Sequence, residues 1–484
     1  MSDIFIRNYP PHLDAPLTKV EAKSIVSNPD NISCHPFFPF LQRNQHWTKY
    51  ADKGKKPDKK TRPIRYAARR DAYIFAHYRK ILLPLYEREL QNLGLNECVL
   101  AYRRIPQAKG RGGKCNIHFA DQAFSKIREI GNCYVLALDI SQFFENLDHN
   151  QIKTNWWRLL GKPEPKRNIA ILPDDHFQVF RAVTNYSFID RDKAYKTLGL
   201  IGEQQSASGL KMIKYTVNRK DFPKQICTPN EFREKLVDII EHNPNPFGIP
   251  QGSPISDLLA NLYMIDFDAE MNRLIRSDGG TYYRYSDDIL IITPMGKKSW
   301  NDILSLTESV LEKTAPRLML KAGKTQVYQY TTSGSGPDQD NKKLNVTKGA
   351  DGVEYLGFRY DGKKIYLRNS TVSGIQRKIT GVANRMARSL VENNPTMSLQ
   401  QLNESFKYDV LIAKFGRVRD FDNSITKYKS WTFWTYIKRS INILGDLGSS
   451  IVRQVGNYKS FARNKAKEAI EYSYNRRKRM PQMP

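Results

Sequence analysis

The feature that most constrains the fold is the stretch at 282–293, YYRYSDDILIIT, in which two strand-forming runs flank Ser286, Asp287 and Asp288. Tyr, Ile and Thr favour a pleated, half-buried surface, whereas Asp is depleted there. The pattern therefore predicts a β-hairpin with a tight turn at its centre. Aspartates in turns are commonly structural, so the hairpin alone leaves open whether these carboxylates have a function.

A second apolar run ends in an aspartate. Residues 132–140, NCYVLALDI, predict a buried strand with Asp139 at its exit. If this strand neighbours the hairpin, three carboxylates converge at one sheet edge, where like charges cannot all stay ionised cheaply. Mg²⁺ prefers oxygen ligands and is typically held by one or two carboxylates plus substrate phosphates. The carboxylates therefore indicate a divalent-metal site of the kind that serves in-line phosphoryl transfer.

The charge of the chain narrows its partners. Its 77 Lys and Arg residues against 49 Asp and Glu residues give a net charge of +28, which suits a polyanion. No apolar run approaches the roughly 18 residues of a membrane span, and the N-terminus does not have the pattern of a signal peptide. The five cysteines form no C-x-x-C pair, so neither a zinc ribbon nor a disulfide framework is indicated. We expect a soluble nucleic-acid-binding protein of a reducing compartment.

The remaining patterns mix helices with short strands, which is typical of the α+β class. A helix is predicted from Ser253, whose hydroxyl can cap it. Residues 353–368 predict a second hairpin around an Asp-Gly turn. The segment 203–231 is polar and predicted to be a loop, and residues 371–484 are helical and basic.

Six short motifs resemble those of the reverse transcriptases and fall in that family's order. They are TRPIR (61–65), LDISQFFENLDH (138–149), GIPQGSPIS (248–256), YSDD (285–288), LKAGKT (320–325) and YLGF (355–358). Each motif alone is weak, but six with permissible spacing form a strong signal. The resemblance implies an α+β, right-hand polymerase fold, with fingers, a palm built on an antiparallel sheet, and a helical thumb.

The resemblance also implies a division of the chain. We expect an N-terminal arm at 1–50, fingers at 51–131, a palm at 132–370 with a long insertion at about 155–245, and a helical, basic thumb and tail at 371–484.

Further pieces are similar to the bacterial abortive-infection and defence-associated reverse transcriptases. They are VLAYRR (99–104), GKCNIHFADQAF (113–124), LPDDHFQVF (172–180) and GIPQGSPISDLLANLYMIDFD (248–268). This likeness implies a cytoplasmic, bacterial, anti-phage enzyme that copies a structured noncoding RNA into DNA from dNTPs and a primer, without a membrane partner. A homo-oligomer is left open. The alternatives are a retron or intron-type enzyme, a relative that adds nucleotides without a template, and a non-catalytic binding scaffold.

The family's catalytic aspartates carry over to Asp139, Asp287 and Asp288. With Ile140 they are the expected ligands of two Mg²⁺ ions, for which Mn²⁺ is an alternative.

The resemblance assigns Phe144 to the aromatic position beneath the incoming sugar, where a ring excludes a 2′-hydroxyl. The alternative is a plain core residue, and Phe143 is expected on the opposite face of the strand.

Four further residues carry over as contacts of the incoming dNTP. They are Arg62, Gln251, Gly252 and Lys324. Arg62 would bind the triphosphate with help from Lys59 or Lys60, because a planar guanidinium matches phosphate oxygens. Lys324 would act as a general acid at the leaving pyrophosphate, or lie on the surface without a role.

Two sets of residues are expected to contact nucleic acid. Leu356 and Gly357 match the family's primer grip. Past them, Arg377, Lys378, Arg385 and Arg388 fall near one helical face that would follow a duplex backbone or face solvent.

Overall fold

The computed structural model describes residues 9–48, 59–107, 112–161, 170–205, 211–218, 220–334, 336–345, 351–415 and 433–479. Helices and largely antiparallel sheets alternate along the chain, so the α+β class is confirmed.

The helices are α1 (Lys19–Ile25), α2 (Pro29–Ser33), α3 (Arg69–Asn92), α4 (Asn116–Ile130), α5 (His149–Leu159), α6 (Asp174–Thr184), α7 (Arg191–Thr197), α8 (Pro229–Glu231), α9 (Ser256–Tyr263), α10 (Ile265–Ser277), α11 (Trp300–Thr314), α12 (Asn369–Asn393), α13 (Leu399–Ser405), α14 (Tyr408–Ala413), α15 (Phe433–Leu444), α16 (Ser449–Val455) and α17 (Tyr458–Arg479). The strands are β1 (Phe40–Thr48), β2 (Lys59–Tyr66), β3 (Cys133–Asp139), β4 (Ser187–Asp190), β5 (Ile201–Gln205), β6 (Lys211–Tyr215), β7 (Glu241–His242), β8 (Thr281–Tyr285), β9 (Asp288–Pro294), β10 (Gln326–Thr332), β11 (Gln339–Lys343), β12 (Val353–Tyr355), β13 (Phe358–Tyr360) and β14 (Ile365–Leu367).

A five-stranded antiparallel sheet of order β11-β10-β3-β9-β8 forms the centre of the molecule. Its middle strands are apolar on both faces, as expected of strands that are covered on both sides. One face, with Leu136 and Ile291, packs against α3, α9 and α10. The other face, with Val135 and Ile292, packs against α4 and the strands β12 to β14. The sheet is therefore rigidly held, and so are the residues at its ends.

A four-stranded sheet of order β2-β1-β4-β7 lies beside it. It joins β1, from the range expected to be an irregular N-terminal arm, to β4 and β7, from the range 155–245. Within 203–231, the expectation of a loop is wrong, because β5 pairs with β6. These two strands are short and largely polar, and local β propensity does not indicate such strands.

The predicted hairpin at 353–368 is part of a three-stranded sheet, β12-β13-β14. Leu356 and Gly357 form a two-residue turn between β12 and β13, with φ values of +46° and +93°. The Asp-Gly turn joins β13 to β14, where Asp361 Oδ1 accepts hydrogen bonds from Lys363 N at 2.8 Å and Lys364 N at 2.7 Å. The sequence predicted the Asp-Gly turn, and the structure has a second turn at Leu356 and Gly357.

The C-terminal helices form a separate apolar core. In it, α12 packs against α17 through small side chains, Ala383 and Ala387 on one helix and Ala462 and Ala466 on the other. The predicted cap at Ser253 is wrong: α9 begins at Ser256, and the Ser253 hydroxyl is buried without a hydrogen-bond partner among the described residues. In the part of the chain that the structure describes, no helix has the length and apolarity of a membrane span.

Candidate active site

The register of the central strands brings the three predicted carboxylates together. Asp139 at the end of β3 pairs directly with Asp288 at the start of β9. Ile140 N donates to the Asp287 carbonyl at 3.0 Å, which fixes the turn between β8 and β9 against the end of β3. Ser286 in this turn has a φ of +60°. All three aspartates thus lie at one end of the five-stranded sheet.

Burial and the charges of neighbouring carboxylates raise the proton affinity of Asp287 and Asp288. Burial raises the pKa of Asp287, and the charge of Asp139 adds to that effect. The pKa of Asp288 is raised to about 6, first by burial and then by the charges of Asp287 and Asp139. The Lys324 ammonium pairs with Asp139 and opposes both shifts. Keeping all of these carboxylates ionised therefore costs free energy, and a bound cation in addition to Lys324 would lower that cost.

The donor set fits a hard divalent cation. Asp139, Asp287 and Asp288 offer carboxylate oxygens, and Ile140 can offer only its backbone carbonyl. Over the described ranges, no three acidic, histidine or cysteine side chains are already gathered closely enough to enclose an ion. Mg²⁺ does not require such a cage, since it keeps waters and takes substrate phosphates as ligands. The site is open, as a metal site that shares its ion with a substrate must be.

Three lysines gather beside Asp139. Lys321 and Lys324 follow the bridge between Ile140 and Leu320, and Lys321 N donates to the Asp139 carbonyl at 2.8 Å. Burial lowers the pKa of Lys321, and the charges of Lys60 and Lys324 lower it further. A group of neighbouring positive charges of this kind favours the binding of an anion.

Phe144 lies in a short 3₁₀ turn, Phe143–Asn146, directly after β3. The expected strand alternation is wrong here, because both phenylalanines are buried in one core cluster, with ring centroids 5.5 Å apart. Phe144 is the more exposed of the two, at 9% against 4%. Its carbonyl accepts a hydrogen bond from Ile249 N at 2.9 Å, which ties the 3₁₀ turn to the loop of residues 248–252.

The loop 248–252 also contacts strand β2. Gln251 O accepts a hydrogen bond from Arg65 N at 2.9 Å. At Gly252, where φ is +119°, a Cβ would lie 2.8 Å from the Arg65 carbonyl. A glycine is required because backbone approaches backbone at this point.

Of the two arginines in TRPIR, Arg62 is exposed and Arg65 is buried. Sequence reasoning missed Arg65, whose guanidinium donates to Glu145 Oε1 at 3.0 Å and to Gln42 Oε1 at 2.9 Å. The group also lies 5.1 Å from the Tyr186 ring centroid. Arg65 thereby joins the four-stranded sheet to the 3₁₀ turn. Arg62 and Arg65 are an odd number of residues apart on one strand, so the sequence could have indicated that they face opposite sides of the sheet. The side chain of Lys59 lies outside the described part of the chain.

A fully buried ion pair supports the aspartate turn, which sequence reasoning also missed. Arg284 and Asp268 are 0% exposed and joined by two hydrogen bonds, at 2.7 and 2.6 Å. Arg284 Nη1 then donates to the Ser286 carbonyl at 3.0 Å and to Asn261 Oδ1 at 3.1 Å. The arginine thus anchors the aspartate turn to α9 and α10.

Tyr102 reaches the same turn from the other side. Its hydroxyl lies 3.0 Å from Ser286 Oγ, and its backbone has a φ of +63°. Arg79, paired with Asp257, donates to the Tyr102 carbonyl at 3.1 Å. A residue of the VLAYRR piece therefore lies beside the aspartate turn.

Leu356 lines a cleft that it shares with two of the carboxylates. The cleft has a volume of about 190 Å³ and is bordered by Asp139, Asp288, Leu356 and Arg368. The Leu356 carbonyl accepts a hydrogen bond from Asn116 Nδ2 at 3.1 Å, which fixes the turn against α4.

The basic residues of α12 lie outside the cleft. Arg377, Lys378, Arg385 and Arg388 are all exposed, opposite the buried stripe that faces α17. At 3.6 residues per turn they cover about 100° of the helix surface.

Residues 181–360 match the family model described as "Reverse transcriptase (RNA-dependent DNA polymerase)". This range holds the loop 248–252, the aspartate turn, the Leu356 turn and two of the three lysines, Lys321 and Lys324. It begins after Asp139 and Lys60. The match confirms the polymerase fold over this range.

No curated protein matches the sequence. Among solved structures, the chain is similar to apo telomerase from Candida tropicalis, truncated from its C-terminal domain, at 11% identity, 68% coverage of this chain and a TM-score of 0.37. It is also similar to telomerase from Candida albicans in complex with a fragment of telomeric RNA, at 11% identity, 94% coverage of this chain, 68% of that chain and a TM-score of 0.38. The chain spans 57% of the length of the first of these telomerases.

Proposed function

We propose that the protein synthesises DNA on an RNA template, and that this RNA is a structured noncoding molecule bound along its basic surface. The observation that carries the proposal is the paired register of Asp139 and Asp288, with Asp287 in the adjacent turn and lysines alongside. A purely structural turn has no need of three carboxylates close together, two of which have raised pKa values.

Asp139, Asp287, Asp288 and the Ile140 carbonyl would hold two Mg²⁺ ions, with Mn²⁺ as an alternative. Such a pair of ions activates the attacking hydroxyl and stabilises the leaving oxygen in phosphoryl transfer. The side chains around these carboxylates would make the remaining contacts with the nucleotide and the primer.

The incoming dNTP would lie between strand β2, the 3₁₀ turn and the loop 248–252. Arg62 and the lysines at 60, 321 and 324 would neutralise its triphosphate. Lys324, which lies beside Asp139, is the general acid for the departing pyrophosphate. Gln251 and Gly252 would meet the nucleotide, and the Phe144 ring would lie beneath its sugar.

The fingers, palm and thumb follow from the same proposal. We assign the palm to 132–370 and the helical thumb to 371–484, where the exposed cations of α12 would follow the duplex. For the fingers, expected at 51–131, strands β1, β4 and β7 in the same sheet favour wider bounds. Leu356 and Gly357 would hold the primer.

We further propose a place in a bacterial, cytoplasmic anti-phage system. The pieces at 99–104, 113–124 and 172–180 support it by their likeness to defence-associated enzymes. Tyr102, in the first of these pieces, contacts the aspartate turn. Part of the likeness therefore lies at the candidate active site.

Two measurements test the proposal. Sequencing the nucleic acid that co-purifies with the protein should return one structured RNA and DNA complementary to it. Extension of a primer on a defined RNA with Mg²⁺, followed by sequencing of the product, should give DNA that is complementary to the template. Product of random sequence would favour template-independent addition instead, and RNA binding without any product would favour the non-catalytic scaffold.

A further inference from the structure

The cleft beside the carboxylates contains polar groups that the proposed chemistry does not use. Besides Asp139 and Asp288, it is lined by Glu354, Tyr355 and Arg368. Tyr355 is 3% exposed, and its hydroxyl has no hydrogen-bond partner among the described residues. A buried hydroxyl without a partner is costly, so it points to a polar ligand or water in the cleft.

Lys324 and Arg368 are the cations that line this cleft, and Lys324 is already paired with Asp139. Arg368 pairs with a carboxylate outside the aspartate cluster. Its Nε lies 2.6 Å from Glu354 Oε2, and its side chain is 47% exposed. Its backbone N donates to the Gly357 carbonyl at 2.9 Å, so the residue is fixed to the turn of Leu356 and Gly357. Its charge is close enough to lower the pKa of Asp288. Arg368 is therefore bonded to that turn and lines the same cleft as Asp139 and Asp288.

The cations around the carboxylates fall into two groups. Lys321 and Lys324 flank Asp139, where the triphosphate of an incoming nucleotide would be neutralised. Arg368, which follows β14, is hydrogen-bonded to the turn of Leu356 and Gly357 and lines the cleft together with Asp288 and Lys324. A growing strand must place its 3′-hydroxyl at the carboxylates, with its last phosphate one sugar further back.

We propose that Arg368 binds the last phosphodiester of the primer, and that Glu354 holds the guanidinium in position for it. This inference rests on the proposed function and adds a specific contact to it. An arginine presents five N–H donors, so it can keep Glu354 through Nε and donate through its Nη groups to phosphate oxygens. Without Arg368, Glu354 would repel the same phosphate.

The test uses a primer in which a neutral methylphosphonate replaces the last phosphodiester. Binding to a primer–template duplex is measured without dNTPs or Mg²⁺. The wild-type protein should bind the neutral primer about tenfold more weakly, as expected for a lost hydrogen bond to a charged group. Arg368→Gln should bind the ordinary primer about as weakly, and should lose nothing further with the neutral primer. Its KM for dNTP should stay at the wild-type value.

Lys363→Gln is the matched control, because it removes an exposed cation from the same small sheet, where Lys363 pairs with Asp340. It should keep both the primer affinity and the methylphosphonate effect. Equal methylphosphonate penalties in wild type and Arg368→Gln would overturn the proposal, as would a raised KM for dNTP with unchanged primer affinity.

If Arg368→Gln does not fold, moving the neutral linkage along the wild-type primer decides. A penalty confined to the last position supports the contact, and a uniform or absent penalty contradicts it. Because binding is measured without turnover, a protein that never extends a primer would contradict the proposed function and leave this result standing.

Discussion

At the scale of single residues, Phe144 is the side chain whose role the geometry sharpens most. Its ring is packed in the 3₁₀ turn after β3, and its carbonyl is bonded to the loop 248–252. Both contacts fix the ring beside the position assigned to the incoming sugar. Under the proposed function, a ring fixed at that position would leave no room for a 2′-hydroxyl.

Phe144→Ala should therefore admit ribonucleotides. Sugar choice is a difference in transition-state binding, and a clash of about 3 kcal/mol corresponds to roughly a hundredfold change in relative kcat/KM. The measurement is the ratio of kcat/KM for dNTP to that for the matching NTP.

Phe143→Ala is the control for this change. The residue is buried beside Phe144, so its truncation should lower the free energy of unfolding by about 3–5 kcal/mol and leave sugar choice alone. A changed ratio in Phe143→Ala and not in Phe144→Ala would reverse the assignment of the two rings.

The meeting of the three carboxylates could be predicted because each lies at the end of a recognisable strand. Arg65, Arg284 and Arg368 could not, since their partners lie elsewhere in the chain and only the fold brings them together. Arg65, for example, bonds to Glu145, 80 residues away. A sequence shows which residues are charged, but the pairing of buried charges is a tertiary property.

At the scale of elements, the site is built from turns held in unusual backbone conformations. Among the described residues, the non-glycine residues with positive φ are Tyr102, Gln142, Ser286 and Leu356. Each of these borders the carboxylates, the 3₁₀ turn or the cleft. Such conformations persist only where the surrounding structure holds them, and they are concentrated at functional sites.

The buried pair Arg284–Asp268 is what holds the aspartate turn. Arg284→Met should lower the free energy of unfolding by about 3–5 kcal/mol, because it leaves Asp268 buried and unpaired. Adding Asp268→Leu should restore most of that stability, since no buried charge remains unpaired.

The kcat of the double variant distinguishes a role of this ion pair in positioning the aspartate turn from a role in stability alone. The double variant should still have a reduced kcat, because the Ser286 carbonyl has lost its donor. Urea unfolding and steady-state kinetics on the same samples measure both quantities. A restored variant with the wild-type kcat would mean that the pair serves stability alone.

The hairpins could be predicted because their turns are short and chemically distinctive. The four-stranded sheet was not predicted, because β1 lies between two partners of which one is a four-residue strand about 140 residues further along the chain. The chain itself does not indicate that pairing.

At the scale of the whole molecule, the net charge of +28 implies binding that depends on salt. Each phosphate neutralised adds about 0.7–0.9 to the slope of log K against log salt concentration. Replacing the four exposed cations of α12 by Gln should therefore reduce the slope for duplex binding by about 3. The KM for dNTP should not change.

A control variant replaces four exposed cations elsewhere in the chain. They are Lys23, Lys235, Arg273 and Lys297. Titration across a series of salt concentrations should give this control the wild-type slope. An equal reduction in both variants would mean that overall charge, rather than the face of α12, carries the binding.

The most direct test of the account is RNA-templated DNA synthesis by the wild type and by a variant that carries both Asp287→Asn and Asp288→Asn. The wild type should extend a primer on RNA in the presence of Mg²⁺. The variant should bind the same duplex and melt at the same or a higher temperature, because it no longer carries two buried charges that repel Asp139. It should make no DNA. Synthesis by the folded variant, or its absence in the wild type on every RNA and primer tried, would contradict the account.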